Sequence, residues 1–144
     1  MNSDNLIELR EELNMTQSQM AKKLGVTRSA YSLWEIGKNT IPLIQLNNIA
    51  NKFDASLDYL TGLSRKNDTD FKYVELDKVE IGKRLKQVRL DNKMTQEAIA
   101  DKLNTTHSVI SAYENGKVLI PTIFIIEYAN ITGKSIDYLC CKKD

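Results

Sequence analysis

The sequence repeats itself, without a gap, at an offset of 79 residues (94 − 15): Met15-Thr16-Gln17 returns as Met94-Thr95-Gln96. At the same offset Ala21 falls on Ala100, Leu24 on Leu103 and Ser32 on Ser111. Glu35-x-Gly37-Lys38 falls on Glu114-x-Gly116-Lys117, and Ile41-Pro42 on Ile120-Pro121. The match closes with Ser56-x-Asp58-Tyr59-Leu60 on Ser135-x-Asp137-Tyr138-Leu139. A repeat of this length requires two copies of one folding unit, so a surface used by one copy is in principle present twice. The 144 residues then divide into residues 1–62, a connector over 63–79, and residues 80–144. Units of about 60 residues fold alone when they are helical and well packed.

Each copy reads as five short helices. Leu6, Leu9 and Leu13 have helical spacing. Thr16 is placed to cap a second helix, with Gln19 completing a capping box, and Met20, Ala21 and Leu24 form its apolar stripe. Gly25 stops that helix; the second copy has Asn104, the next most tolerant residue of positive φ. Thr27 opens a third helix running to about Glu35, with Ala30, Tyr31 and Trp34 turned inward, and Gly37 ends it. Pro42 opens a fourth carrying Ile44, Leu46, Ile49, Ala50 and Phe53, and Ser56 caps a short fifth with Leu57 and Leu60. The fold class is therefore all-α, two tandem five-helix domains. In the connector, Ser64 to Asp70 reads as loop, whereas Phe71 to Leu76 alternates partly at period 2, the pattern of an extended segment packed on a domain. Stretched out, the connector reaches about 55 Å, beyond the ~34 Å between half-sites one DNA turn apart.

Net charge is only +1, so bulk charge does not mark a nucleic-acid binder. The copies differ: residues 1–62 sum to −1 and residues 80–144 to +2, with Lys83, Arg84, Lys86, Arg89 and Lys93 near the start of the second copy and Glu8, Glu11 and Glu12 near the start of the first. Apolar runs are too short to span a bilayer and the amino terminus lacks signal-peptide character, which points to a cytoplasmic protein with no membrane partner. Cys140 and Cys141 are adjacent and too few for a metal site, so they read as free thiols. No nucleophile–base pair, metal-ligand spacing or phosphate-cradling glycine loop is present, and no enzyme activity, metal or cofactor is expected.

Two helices joined by a tight turn, with a small residue in the first and Gly or Asn at the turn, make a helix-turn-helix. The chain resembles the lambda repressor/Cro-like (XRE) helix-turn-helix family over about residues 6–62 and 85–141. The resemblance rests on Thr-Gln at the second helix start, Ala and Gly or Asn at the turn, Trp/Tyr-Glu-x-Gly-Lys after the third helix, and Pro before the fourth. It implies a third helix that reads the major groove of double-stranded DNA. By position, Gln17 and Gln96 would hold a phosphate or reach a base. Thr27, Arg28, Ser29, Ser32 and Leu33 would form the first reading face, and Thr106, His107, Ser108, Ser111 and Ala112 the second. Arg28 is the best base reader, since its fork matches guanine O6 and N7. Lys38 and Lys117 would contact phosphates. The family pattern also implies ion pairs between Arg10 and Glu35 and between Arg89 and Glu114, making those acids structural. Trp34 and Tyr113 are placed as core or core-edge residues, and Lys22 and Lys23 as a solvated face.

The copies part company after the third helix. Asn39, Thr40, Gln45 and Asn47 become Val118, Leu119, Phe124 and Ile126, leaving the fourth helix of the second copy apolar on nearly all sides. The expectation is that Val118, Leu119, Phe124 and Ile126 form an interface, to the other copy, to the connector or to a second chain in a homodimer. The reading implied is a transcriptional regulator, most simply a repressor, on an operator with two half-sites. The alternative is a protein-interaction or antitoxin-like partner, in which one copy serves as the interface. No sensory domain is present, so no small-molecule ligand is indicated.

Overall fold

In the computed structural model, which describes residues 1–144 throughout, most helices start at a residue whose side chain accepts from a first-turn N–H, while Pro42 and Pro121 open the fourth helix of each copy without one. The first copy forms α1 (Asp4–Glu12), α2 (Gln17–Leu24), α3 (Arg28–Glu35), α4 (Leu43–Phe53) and α5 (Leu57–Thr61). The second forms α6 (Lys78–Asp91), α7 (Gln96–Lys102), α8 (His107–Glu114), α9 (Thr122–Thr132) and α10 (Ile136–Leu139). The architecture is all-α, two helix-turn-helix modules separated by a linker, and no helix is long and apolar enough to cross a membrane. The Thr16 hydroxyl accepts from the Gln19 N–H while the Gln19 side chain accepts from the Thr16 N–H, a complete capping box. The hydroxyls of Thr27, Ser56, Thr95, Thr106 and Ser135 each accept from a first-turn N–H of their helices without the reciprocal bond, each cap contributing about 1 kcal/mol.

The chain divides into two units, Met1–Asp70 and Phe71–Asp144. In the first, Leu6, Met20, Tyr31, Ile41, Leu46, Ile49, Leu57 and Leu60 are fully buried; α2 packs on α3, and α1 on α5. Two residues depart from the expected stripes. Leu13 lies past the end of α1 and is exposed, and Ile44 is exposed while its neighbour Leu43 turns inward. In the second unit, α6 packs chiefly on α8 around Ile81, Leu85 and Val88. This helix has 14 residues against nine in α1. Asp77 caps it, and Gly82 lets it pass close over α8: a Cβ there would meet the Tyr113 carbonyl oxygen at 2.5 Å. At the matched position of the first copy, Ser3 instead donates to the Trp34 carbonyl oxygen and α1 begins just after it. No strand forms over Phe71 to Leu76, and the packing expected of the segment is seen at Phe71, with Lys72 N–H bonded to the Lys142 carbonyl. Only Phe71 of that segment is buried; the period-2 alternation has no neighbouring edge to pair with.

Candidate nucleic-acid interface

The turn between α2 and α3 is built identically in both copies. Gly25 takes φ 70° and Asn104 φ 54°, the left-handed region that glycine and asparagine enter at least cost. Val26 N–H donates to the Ala21 carbonyl at 3.0 Å, and Thr105 N–H to the Ala100 carbonyl at 3.0 Å. Ala21 and Ala100 are buried beneath this crossing. After α3, Gly37 at φ 78° lets Lys38 N–H donate to the Leu33 carbonyl at 3.0 Å; Gly116 and Lys117 repeat the arrangement on Ala112. Both lysines are thereby fixed just past the end of their helix.

A buried ion pair braces each module. Arg10 donates from Nε and Nη2 to the two Glu35 carboxylate oxygens at 2.7 and 2.9 Å, and from Nη1 to the Met15 carbonyl at 3.0 Å. Arg89 makes the same three bonds, to Glu114 at 2.6 and 2.9 Å and to Met94 at 2.8 Å. One guanidinium thus ties α1, the α1–α2 turn and the end of α3 together. Burial works against the Glu35 charge, but hydrogen bonding to Arg10, Tyr31 and Gln17 and the Arg10 charge outweigh it, so its pKa lies below the usual carboxylate value. The Tyr31 hydroxyl is buried without a hydrogen bond of normal geometry; burial and the nearby Glu35 carboxylate raise its pKa far above 10.

Gln17 and Gln96 belong to this brace. Gln17 Nε2 donates to Glu35 at 3.3 Å and Gln96 Nε2 to Glu114 at 3.1 Å. Neither glutamine is fully exposed, and each keeps a second amide hydrogen and its carbonyl oxygen for an outside ligand. Their place at the start of the second helix is evident from the sequence; their orientation by the ion pair is not.

The residues expected to form the reading faces are the caps Thr27 and Thr106 and positions along α3 and α8. Thr27, Arg28 and Ser29 are exposed, as are Thr106, His107 and Ser108; Ser32, Leu33, Ser111 and Ala112 are half-buried. The Thr27 and Thr106 hydroxyls accept from the Ala30 and Val109 N–H groups and serve as caps. Ser111 Oγ accepts from the Asn115 amide at 3.1 Å. Lys38 and Lys117 are exposed. Trp34 and Tyr113 are buried, as their spacing implied, with Trp34 edge-on to Tyr31. No three His, Cys, Asp or Glu side chains gather as a metal group would.

The apolar set is where the structure departs most from the sequence reading. Val118 is 51% exposed, Leu119 is half-buried, and Phe124 is half-buried with its ring 6.1 Å from that of Tyr113. Ile126 is only 8% exposed. Asn47, at the matched position, is buried as well, so this position faces inward in both copies and Ile126 does not belong to an outer patch. Ile123, outside the expected set, is 54% exposed, and its counterpart Ile44 is 58% exposed. Ile36 of the first copy is 62% exposed, so surface apolar side chains are not special to the second copy.

The helix-turn-helix family matches residues 6–60 and again residues 85–139, most of the chain. The chain belongs to that family. Among curated helix-turn-helix relatives, the HTH-type transcriptional regulator YqaE of Bacillus subtilis is 47% identical over 60 residues, 42% of this chain and 52% of its own length. YobD, a second HTH-type transcriptional regulator of Bacillus subtilis, is 36% identical over 59 residues, covering 41% and 53%. The chain thus spans about half the length of these two Bacillus relatives. The cryptic phage CTXphi transcriptional repressor RstR of Vibrio cholerae is 27% identical over 116 residues, covering 78% of this helix-turn-helix chain and 96% of its own.

Proposed function

We propose that the protein is a sequence-specific, double-stranded DNA-binding transcriptional regulator of the lambda repressor/Cro-like (XRE) kind, acting most simply as a repressor. One observation carries the reading: in both copies the exposed outer end of the third helix presents polar side chains that no intramolecular bond engages. The Arg28, Ser29, His107 and Ser108 side chains are exposed and make no internal hydrogen bond or ion pair, beside Thr27 and Thr106, whose hydroxyls are used as caps. A protruding helix of this kind enters the major groove with its N-terminal residues toward base edges. Arg28 supplies a guanidinium fork for a guanine, and the apolar Leu33 and Ala112 suit thymine methyls. Lys38 and Lys117, and the second amide hydrogens of Gln17 and Gln96, are placed for phosphates. Because Arg28-Ser29 faces one half-site and His107-Ser108 the other, the preferred operator is asymmetric. The relatives named as transcriptional regulators, one of them a phage repressor, support the same reading.

Val118, exposed where the first copy has Asn39, favours a second reading, in which the second copy is an interface for a homodimer or an antitoxin-like protein partner. Footprinting on the DNA upstream of the protein's own gene, with the mass of the complex measured, separates the two. The regulator reading expects a protected site with two unequal halves, and Arg28→Ala relaxing base preference in one half by about 1–3 kcal/mol. Unchanged protection by a variant lacking both Arg28 and Ser29 side chains would remove the first copy as a reader.

A further inference from the structure

Six cations lie between Lys78 and Lys93 in the second copy, and their bonds separate the engaged from the free. Arg89 is buried in the brace to Glu114. Arg84 donates to the Tyr138 carbonyl at 2.9 Å and lies 4.4 Å from the centre of that ring. Lys83 meets Glu80 at 3.2 Å, on the side of α6 turned away from Leu85 and Arg89. Lys86 is exposed and bonds to no residue of α7 or α8. Lys78 and Lys93 remain, one at each end of α6.

Lys78, in the first turn of α6, lays its ammonium against the backbone of Lys117: Nζ donates to the Lys117 carbonyl at 3.3 Å. Both lysines are exposed and neither meets a carboxylate. The acids beside Lys78 in the chain are occupied. Asp77 accepts from the Val79 and Glu80 N–H groups as the cap of α6, and Glu80 pairs with Lys83. Two ammonium groups drawn together without a counter-charge repel one another, and an anion between them turns that repulsion into attraction.

At the other end, Lys93 is exposed and takes φ 56°. Met94, the next residue, gives its carbonyl to Arg89 at 2.8 Å. Arg89 and Gln96 share the Glu114 Oε1 atom, at 2.9 and 3.1 Å. The turn that carries Lys93 is thus fixed to the brace that orients Gln96, and three residues of chain keep the two within about 10 Å. In the first copy Asn14 holds the matched turn, at φ 54°. There α1 begins at Asp4, the match of Lys83, so no α1 residue corresponds to Lys78. Two acids on α7 oppose the lysines: Glu97, next to Gln96, and Asp101, one turn on, where the first copy has Ser18 and Lys22.

We propose that Lys78 and Lys93 are phosphate contacts peculiar to the second copy, Lys78 acting with Lys117 on one DNA phosphate and Lys93 with Gln96 on another. The inference deepens the DNA-binding reading and rests on it. A phosphodiester is the anion that suits them, because an ammonium is a point charge without the fork that reads a base edge. The two lysines therefore add affinity for every sequence and no preference among sequences.

The test uses the full chain with Lys78→Gln, Lys93→Asn, the two together, and Lys83→Gln as a control for bulk charge. Lys93→Asn installs the residue type that already holds the matched turn at Asn14. Thermal melting followed by circular dichroism checks that each variant keeps its fold. Equilibrium binding is measured over a range of salt, on a duplex selected by the wild type and on one of scrambled sequence. Each lost contact should flatten the slope of log affinity against log salt by about 0.9, and the double variant by about 1.8. At about 0.1 M salt the double variant should bind both duplexes on the order of 10-fold or more weakly, with the ratio between them unchanged. Lys83→Gln should keep the wild-type slope. A double variant with the wild-type slope would overturn the inference and leave the DNA reading standing. So would an equal loss in Lys83→Gln, which would mean bulk charge, or a changed ratio between the duplexes, which would mean base contact. Wild-type binding to neither duplex at any salt would overturn the DNA reading itself, and the lysine assignment with it.

Discussion

Arg10 and Glu35 show how one residue pair links folding to the candidate site. The pair is buried, makes two parallel bonds, and holds Gln17 by a third. Removing one partner of such a pair strands the other charge, at a cost of about 3–5 kcal/mol. The same bonds set a pH dependence. Glu35 has a folded pKa below its unfolded value near 4.5, so its contribution is fully present above that pH and is lost as pH falls through the folded value. Urea denaturation from pH 7 to pH 3 is expected to show the first unit weakening below about pH 4.5. Glu35→Gln should be less stable at pH 7 and should lack that part of the slope. An identical pH profile in the variant would mean that other carboxylates carry the acid sensitivity. The pair was legible in the sequence through the family pattern. The bond to Gln17 was not, because the length of a glutamine side chain lets it turn either to solvent or back to the acid, and only packing decides which.

At the level of the helices, the start and stop residues carried most of what could be read in advance. Threonine and serine caps, positive-φ glycines and the Pro before α4 mark boundaries by local chemistry, which a single sequence displays. Errors arose where orientation depended on neighbours. Ile44 and Leu43 are adjacent and both apolar, so either could have faced the core; α4 chose Leu43. The apolar run Ile123 to Ile126 has no polar face to fix its rotation, and the structure buries Ile125 and Ile126 while exposing Ile123. Gly82 was silent in the sequence, since a glycine within a helix reads as a mild weakness. Its value is the close α6–α8 crossing. Alanine there gains about 1 kcal/mol in helix propensity but places a Cβ 2.5 Å from the Tyr113 carbonyl and 2.6 Å from that of Glu114. Backbone oxygens cannot swing aside, and overpacking costs about 1–3 kcal/mol. Gly82→Ala is therefore expected to lower the second unit's melting temperature, with the exposed Lys83→Ala as a near-neutral control. A rise in melting temperature would show that the crossing is looser than its geometry indicates.

For the whole molecule, duplication kept the brace, the turn and the caps while changing the residues that face outward. The acidic α1 of one copy and the basic α6 of the other leave the net charge near zero, so any attraction to a polyanion is local; the proposed reading assigns it to Lys38, Lys117 and the exposed residues of α3 and α8. The most direct test is equilibrium binding, across a range of salt, to a duplex selected by the wild type and to one of scrambled sequence. It is carried out for the wild type and for Arg28→Ala/Ser29→Ala/His107→Ala/Ser108→Ala. The wild type should prefer the selected duplex by on the order of 10³-fold or more and weaken with salt on both. The fourfold variant should keep the salt-dependent binding and bind the two duplexes alike. Undiminished discrimination by that variant, or salt-independent failure of the wild type to bind either duplex, would contradict the assignment of α3 and α8 as DNA-reading helices.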